Sequence, residues 1–193
     1  MNKNSLAQFI LVSIISLVSL VYFVINSNYE FIVYVFVLFL FFYFIVRSDE
    51  KFNYPKTATW GLMVWAVLHM AGGAIYIGGI RLYDLVLVSF IGEPYNILKY
   101  DQAMHFYTYL IIGILVYSIL REYFRKENIL TTILVIFAAS GIGAFYELLE
   151  FSTVVMFSHT GVGGYYNLIL DILFNFVGAV FGVLIGRKLF ACN

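Results

Sequence analysis

Charge is scarce in this chain. Only 11% of its residues are Asp, Glu, Lys or Arg, where a soluble domain carries about 25%. Cysteine is nearly absent. The one cysteine, Cys192, excludes an internal disulfide framework and a multi-cysteine metal site. It stands second from the end, whereas a prenylation box needs Cys in the fourth-last place. The formal net charge is zero and there is no basic tract, which argues against a nucleic-acid partner. What is abundant is apolar surface, with 63% hydrophobic and 20% aromatic residues among 193. A globule of that size must still cover itself with polar groups. The excess therefore faces lipid, and the chain reads as an all-α, polytopic bundle of about six transmembrane helices.

A spanning helix needs about 20 apolar residues. Segments 5–26, 29–47, 57–79, 100–121, 129–151 and 166–187 qualify. Helix is the default because backbone groups in lipid must be satisfied internally, and a barrel needs alternating short strands. The first segment is too long for a signal core and runs on into Asn26-Ser27-Asn28-Tyr29 without a small-x-small site, so it reads as a retained helix. The gap Ser27-Asn28 makes the first two segments a tight hairpin. Pro55 suits the start of the third. Residues 1–193 form one integral membrane domain: 1–55 a two-helix, lipid-facing scaffold hairpin, and 56–193 a four-helix core.

Basic residues set the orientation. Lys3, Arg47, Lys51, Lys56, Arg121, Arg125, Lys126, Arg187 and Lys188 fall on one side, and only Arg81 and Lys99 on the other. Both termini are thereby expected in the cytoplasm of a multi-pass plasma-membrane protein. Among the acids, Asp49, Glu50, Glu122 and Glu127 fall inside. Glu30, Asp84, Glu93, Asp101, Glu147, Glu150 and Asp171 lie at or toward the outside.

Asp101, Glu147, Glu150 and Asp171 fall within or at the ends of expected helices, where an ionisable group is costly unless it finds a partner. His69, roughly 15 Å from the outer end of the third segment, and His105 join the same outer layer. Asp101 and His105 are four apart and share a face. Gly143, Tyr146, Glu147 and Glu150 share a face of the fifth segment. Asp171, Asn175, Gly178, Gly182 and Gly186 step along the sixth, whose small residues let another helix approach. Gly61, Trp65, His69, Gly72 and Tyr76 form a similar stripe on the third. No equivalent polar layer is seen in the inner half. Residues 80–99 are too apolar for a free loop and suggest an interfacial or re-entrant helix broken at Gly92-Glu93-Pro94. Residues 152–165, with His159 and a glycine cluster, suggest a flexible outer lid or an anion-binding turn.

Three readings of the layer stand together. As an enzyme site, His69, His105, Glu147 and Glu150 are metal ligands, with Asp101 and Asp171 as catalytic or supporting carboxylates. The ligand types suit Zn²⁺, Mn²⁺ or non-haem iron, and the divalent metal activates water against a lipid or lipid-linked substrate. As a transporter, the same groups form a proton- or cation-coupled site. As structure, they hydrogen-bond across helices and fix register. The partners are the bilayer and a lipid or small-molecule ligand.

The segment Tyr100-Asp101-Gln102-Ala103-Met104-His105-Phe106 resembles the Asp-x-x-x-His-Phe signature of the inner-membrane YjdF-like family. His69-x-x-Gly72-Gly73-x-x-Tyr76, Tyr146-Glu147-x-x-Glu150-Phe151 and Asp171-x-x-x-Asn175-x-x-Gly178-Ala179 resemble further elements of it in matching order, over roughly residues 60–187. The last is also similar to the final helix of VanZ-like proteins, which are associated with glycopeptide resistance. The chain departs from the family's acidic, Trp-containing stretch before the last helix, reading Gly161-Val162-Gly163-Gly164-Tyr165-Tyr166-Asn167 instead. The resemblance implies a membrane bundle and carries no established activity.

Overall fold

A computed structural model describes residues 3–124, 128–157 and 160–191. Arg125, Lys126, Glu127, His159 and Cys192 lie outside the described residues. Six helices dominate: α1 Lys3–Ile25, α2 Tyr29–Phe52, α3 Lys56–Ala74, α4 Tyr100–Leu120, α5 Ile129–Met156 and α6 Tyr165–Ala191. Asn28 caps α2 by accepting from the Phe31 amide, and Asn128 caps α5 through the Thr131 amide. Both follow the preference of Asn for the N-cap.

Five of the six helices, all but α3, are long and apolar enough to cross a membrane. Their outward faces carry Leu17, Val18, Phe36 and Phe137, each at least 60% exposed. That apolar surface has no place in water and suits lipid. The 19-residue α3 carries Thr57, Thr59, His69 and three glycines, which lower its hydropathy. It packs against α1, α2 and α4 with Ala58, Leu62 and Ala66 fully buried, while Trp60, Val64 and Val67 form an exposed apolar face.

The connection from α3 to α4 corrects the expectation for 80–99, and it shortens the third segment, which stops at Ala74 rather than 79. There is no helix broken at Gly92-Glu93-Pro94. Two β-hairpins stand there: β1 Tyr76–Ile77 with β2 Ile80–Arg81, and β3 Val86–Ile91 with β4 Ile97–Lys99. Between the hairpins lies one 3-10 turn, Leu82–Asp84. Gly78 and Gly79 both have positive φ, the requirement of a two-residue hairpin turn. β-branched Val86, Val88 and Ile91 suit a strand. α5 also corrects its expected end: it runs on to Met156, leaving only a short link before α6.

The first four helices and the last two alternate in direction, so one end of the bundle holds both hairpins and the link before α6. This hairpin end also holds the polar layer. At the opposite end a smaller uncharged set joins α1 to α3, where Gln8 donates to Thr59 at 3.0 Å. Ser5 donates to Asp49 at 2.7 Å nearby, tying α1 to α2. The inner half is thus less bare than expected.

The most extensive contact joins α4 to α6. The glycine stripe of α6 makes it possible. A Cβ at Gly178 would stand 2.3 Å from the Phe106 carbonyl oxygen, and one at Gly182 only 2.1 Å from that of Leu110. Gly113 of α4 faces the same seam, against Ala179 and Gly182. This contact sets Asp101 and His105 of α4 beside Asp171 and Asn175 of α6.

Candidate metal centre at the hairpin end

His105 is buried at the α4–α6 seam and is surrounded by acids. Its Nδ1 lies 2.9 Å from Asn175 Oδ1 and 3.5 Å from Glu147 Oε1. Its Nε2 lies 3.4 Å from Asp101 Oδ1 and 3.9 Å from Asp171 Oδ1. The Asn175 amide settles the tautomer. Its Nδ2 donates to Glu147 Oε1 at 3.0 Å, because an ionised carboxylate only accepts. Asn175 Oδ1 must then accept from Nδ1–H of His105. Nε2 then faces two carboxylate oxygens, to which it offers an N–H when the ring is protonated and a lone pair when a metal takes the proton's place.

The outer oxygens of those two carboxylates are spoken for. Asn167, one turn before Asp171 on α6, donates to Asp101 Oδ2 at 3.0 Å and to Asp171 Oδ2. Their Oδ1 atoms are left facing His105. Asp171 Oδ1 is buried and accepts no hydrogen bond among the described residues. One ligand atom each from Asp101, His105 and Asp171 all lie within 4.8 Å of one another. A lone pair and two anionic oxygens facing inward repel unless a proton or a cation lies between them. Asn175 and Glu147 behind Nδ1, and Asn167 behind the carboxylates, are the kind of outer hydrogen bonds that orient metal ligands.

The other residues singled out in the sequence stand nearby in different roles. Glu147 meets the trio both directly, 3.5 Å from His105 Nδ1, and through Asn175. His69 has both ring nitrogens turned to phenols: Tyr83 O–H is bonded to Nδ1, and Tyr146 Oη lies 3.4 Å from Nε2. Trp65 stacks on the same imidazole at 5.2 Å. Burial pushes the Tyr83 phenol well above its usual pKa, and the charge of Asp101 adds to this, so the hydroxyl stays a proton donor. Glu150 makes no side-chain hydrogen bond or ion pair among the described residues and lines the cavity described next.

An apolar cavity of about 210 Å³ lies between α2, α3, α4 and α5. Leu38, Phe41, Leu62 and Ile112 form its body, and His69, Asp101, His105 and Glu150 its polar end. A small cleft of about 30 Å³ lies beyond that end, under residues 161–163, and shares His69, Tyr83, Asp101 and Glu150 with the cavity.

Four contributors were not legible as site residues: Glu30, Tyr34, Tyr83 and Asn167. From α2, Glu30 and Tyr34 also line the cleft. Asn167 had one signal available, since it extends the Asp171-Asn175 step of four by one more turn. The lid over the cleft is tied down. The Gly161 amide donates to Glu30 Oε2 at 2.5 Å, and Arg81 Nη2 donates to the Gly161 carbonyl at 2.7 Å. The glycine amide thus binds the protein's own carboxylate rather than a free anion. Arg81 is further paired with Asp84 at 3.0 Å. Burial works against its charge, but Asp84 and then Glu30 outweigh that and hold its pKa above the ordinary value. Arg81→Ala is therefore expected to free the link before α6. Hydrogen exchange at the Gly161 amide should quicken by on the order of tenfold or more, since a charge-assisted bond contributes about 1.5–3 kcal/mol. Exchange in the middle of α4 should not change.

No curated protein and no solved structure matches this chain. A family model described as Predicted membrane protein (DUF2238) matches residues 7–191, nearly the whole length, and the chain belongs to that family.

Proposed function

We propose that this protein is a membrane metalloenzyme in which Asp101, His105 and Asp171 hold a divalent metal that activates water against a lipid or lipid-linked substrate. One observation carries the reading: one ligand atom each from Asp101, His105 and Asp171 converge within 4.8 Å, while Asn167 and Asn175 hold other atoms of the same three groups. One imidazole and two carboxylates suit Zn²⁺, Mn²⁺ or Fe²⁺ by ligand type. Three protein ligands leave open positions for water and substrate. A metal held there would lower the pKa of a bound water toward neutral and so supply a nucleophile.

In this reading the ligand set differs from the one the sequence suggested. His105 remains a ligand. Asp101 and Asp171 take the places given to Glu147 and His69, Glu147 orients His105 through Asn175, and His69 and Glu150 face the substrate cavity. The bias of Lys and Arg toward the opposite end supports a hairpin end on the outer side of a plasma membrane. The likeness to YjdF-like and VanZ-like helices is compatible with this and adds no chemistry.

Purified full-length protein is expected to retain stoichiometric Zn, Mn or Fe after exposure to each and removal of the excess. Asp171→Asn is expected to lose it while eluting as the same folded species. Elemental analysis reads both. Wild type that emerges free of all three metals ends the proposal.

A further inference from the structure

The cavity and the metal centre pose separate questions, and the cavity has chemistry of its own. Its longest wall comes from α4, and it is flanked by α2 and α5, which scarcely touch each other. Val37 and Phe41 lie on one side, and Ile142 and Phe145 on the other. Ile142 is 43% exposed and Phe145 62% exposed on the lipid-facing surface. The cavity therefore opens sideways, into hydrocarbon, rather than toward either aqueous face. Its volume of about 210 Å³ is below the ~300–1,000 Å³ of pockets that hold drug-sized molecules. That favours one slender chain over a fused ring system.

The polar end is acidic. Asp101 and Glu150 form part of it directly, with Asp171 and Glu147 behind His105. Arg81, the one arginine near the cleft, is committed to Asp84, Glu30 and the Gly161 carbonyl. A divalent cation on Asp101 and Asp171 would still leave Glu147 and Glu150. Of these, Glu147 accepts from Asn175. The Glu150 side chain has no hydrogen bond or ion pair among the described residues, yet it borders both the cavity and the outer cleft. An anionic head would meet these carboxylates unpaired, which is strongly unfavourable away from water. An ammonium supplies three donors and the opposite charge.

We infer that the cavity binds a single-chain amphiphile with a protonated amine head, entering from the bilayer between α2 and α5 and placing its ammonium on Glu150. This rests on the lipid-substrate half of the reading above and not on the metal. The chain lies against Leu38, Phe41, Leu62 and Ile112. The head reaches the wall shared with the cleft, where Glu150 accepts its protons.

Trp65 lines the cavity and Trp60 faces outward, and these are the only two tryptophans. A Trp60→Phe protein thus carries its reporter inside the site. In lipid nanodiscs this protein is titrated with a chain-brominated dodecylamine, with brominated dodecanoic acid and dodecyl sulfate as anionic controls. Saturable quenching of Trp65 is expected for the amine at about tenfold or more lower concentration than for either anion. Glu150→Gln should abolish that preference while keeping saturable quenching, because the chain still fits. Val37→Phe with Ile142→Phe should narrow the mouth and leave only the linear quenching of bulk partitioning. Equal affinity for amine and anion overturns the head-group assignment. Linear quenching by every probe in a protein whose melting is normal overturns the cavity assignment. The titration is run on metal-loaded and metal-stripped protein. Amine binding that survives in a chain shown to hold no metal would sink the metal centre alone, and metal retention without amine binding would sink this inference alone.

Discussion

Replacing His105 with leucine should cost the folded protein about 3–5 kcal/mol, the usual penalty for removing one partner from a buried charged set. Its imidazole is the one basic side chain between Asp101, Glu147 and Asp171. Without it, three buried carboxylates face a methyl group. They must take up protons or separate, and separation opens the α4–α6 seam. Thermal unfolding in detergent should fall by on the order of 10 °C. A second variant separates structural cost from metal binding. Adding Asp101→Asn, Glu147→Gln and Asp171→Asn to His105→Leu removes the opposing charges. Replacing a whole buried ionic set is often neutral or even stabilising, so melting should return toward wild type. Metal retention should not return, because the ligands are gone. A His105→Leu protein that melts like wild type would mean that the imidazole does not hold these carboxylates in check, and the buried ionic set would fall as an account of the seam.

The helices were legible because hydrocarbon leaves the backbone few options, and runs such as 129–151 have no other use. The α4–α6 half of the site was legible for the same reason. Asp101 with His105, and Asp171 with Asn175, each sit four apart on one face, and helix geometry alone brings each pair together. How the two glutamates of α5 divide between seam and cavity was not legible. Glu147 and Glu150 are three residues apart, which turns their side chains about 60° from one another around α5. That turn is enough for Glu147 to reach Asn175 while Glu150 faces the cavity. It depends on the rotation of α5 against α6, which no spacing within α5 records. The hairpins were missed because Val86-Leu87-Val88-Ser89-Phe90-Ile91 has no alternation, and a short apolar run reads equally as strand or buried helix. The better signal was Gly78-Gly79, a hairpin-turn dipeptide. Glu30 and Tyr83 reach the cleft from elements distant in sequence, and only tertiary packing places them there.

Gly182→Leu is expected to be the most damaging single substitution outside the polar cluster. The atom that a Cβ would strike is the carbonyl oxygen of Leu110, at 2.1 Å, with the carbonyl carbon and Cα of the same residue at 2.8 and 3.0 Å. Backbone inside a helix cannot swing aside as a side-chain tip can. The two helices must move apart along the seam. Overpacking a tight core typically costs about 1–3 kcal/mol, and here the loss extends to every contact that the close approach permits. The chemistry should fail with the packing. Asp101 and His105 ride on α4, Asp171 and Asn175 on α6, and a separation of about 1 Å would exceed the tolerance of roughly 0.5 Å within which a preorganised site works. Metal retention should therefore drop even in the fraction that remains folded. Gly141→Leu is the matched control, since a Cβ there meets nothing within 4 Å. Thermal unfolding and elemental analysis of both proteins give the comparison. A Gly182→Leu protein with unchanged melting and full metal retention would show that the α4–α6 approach does not position the site.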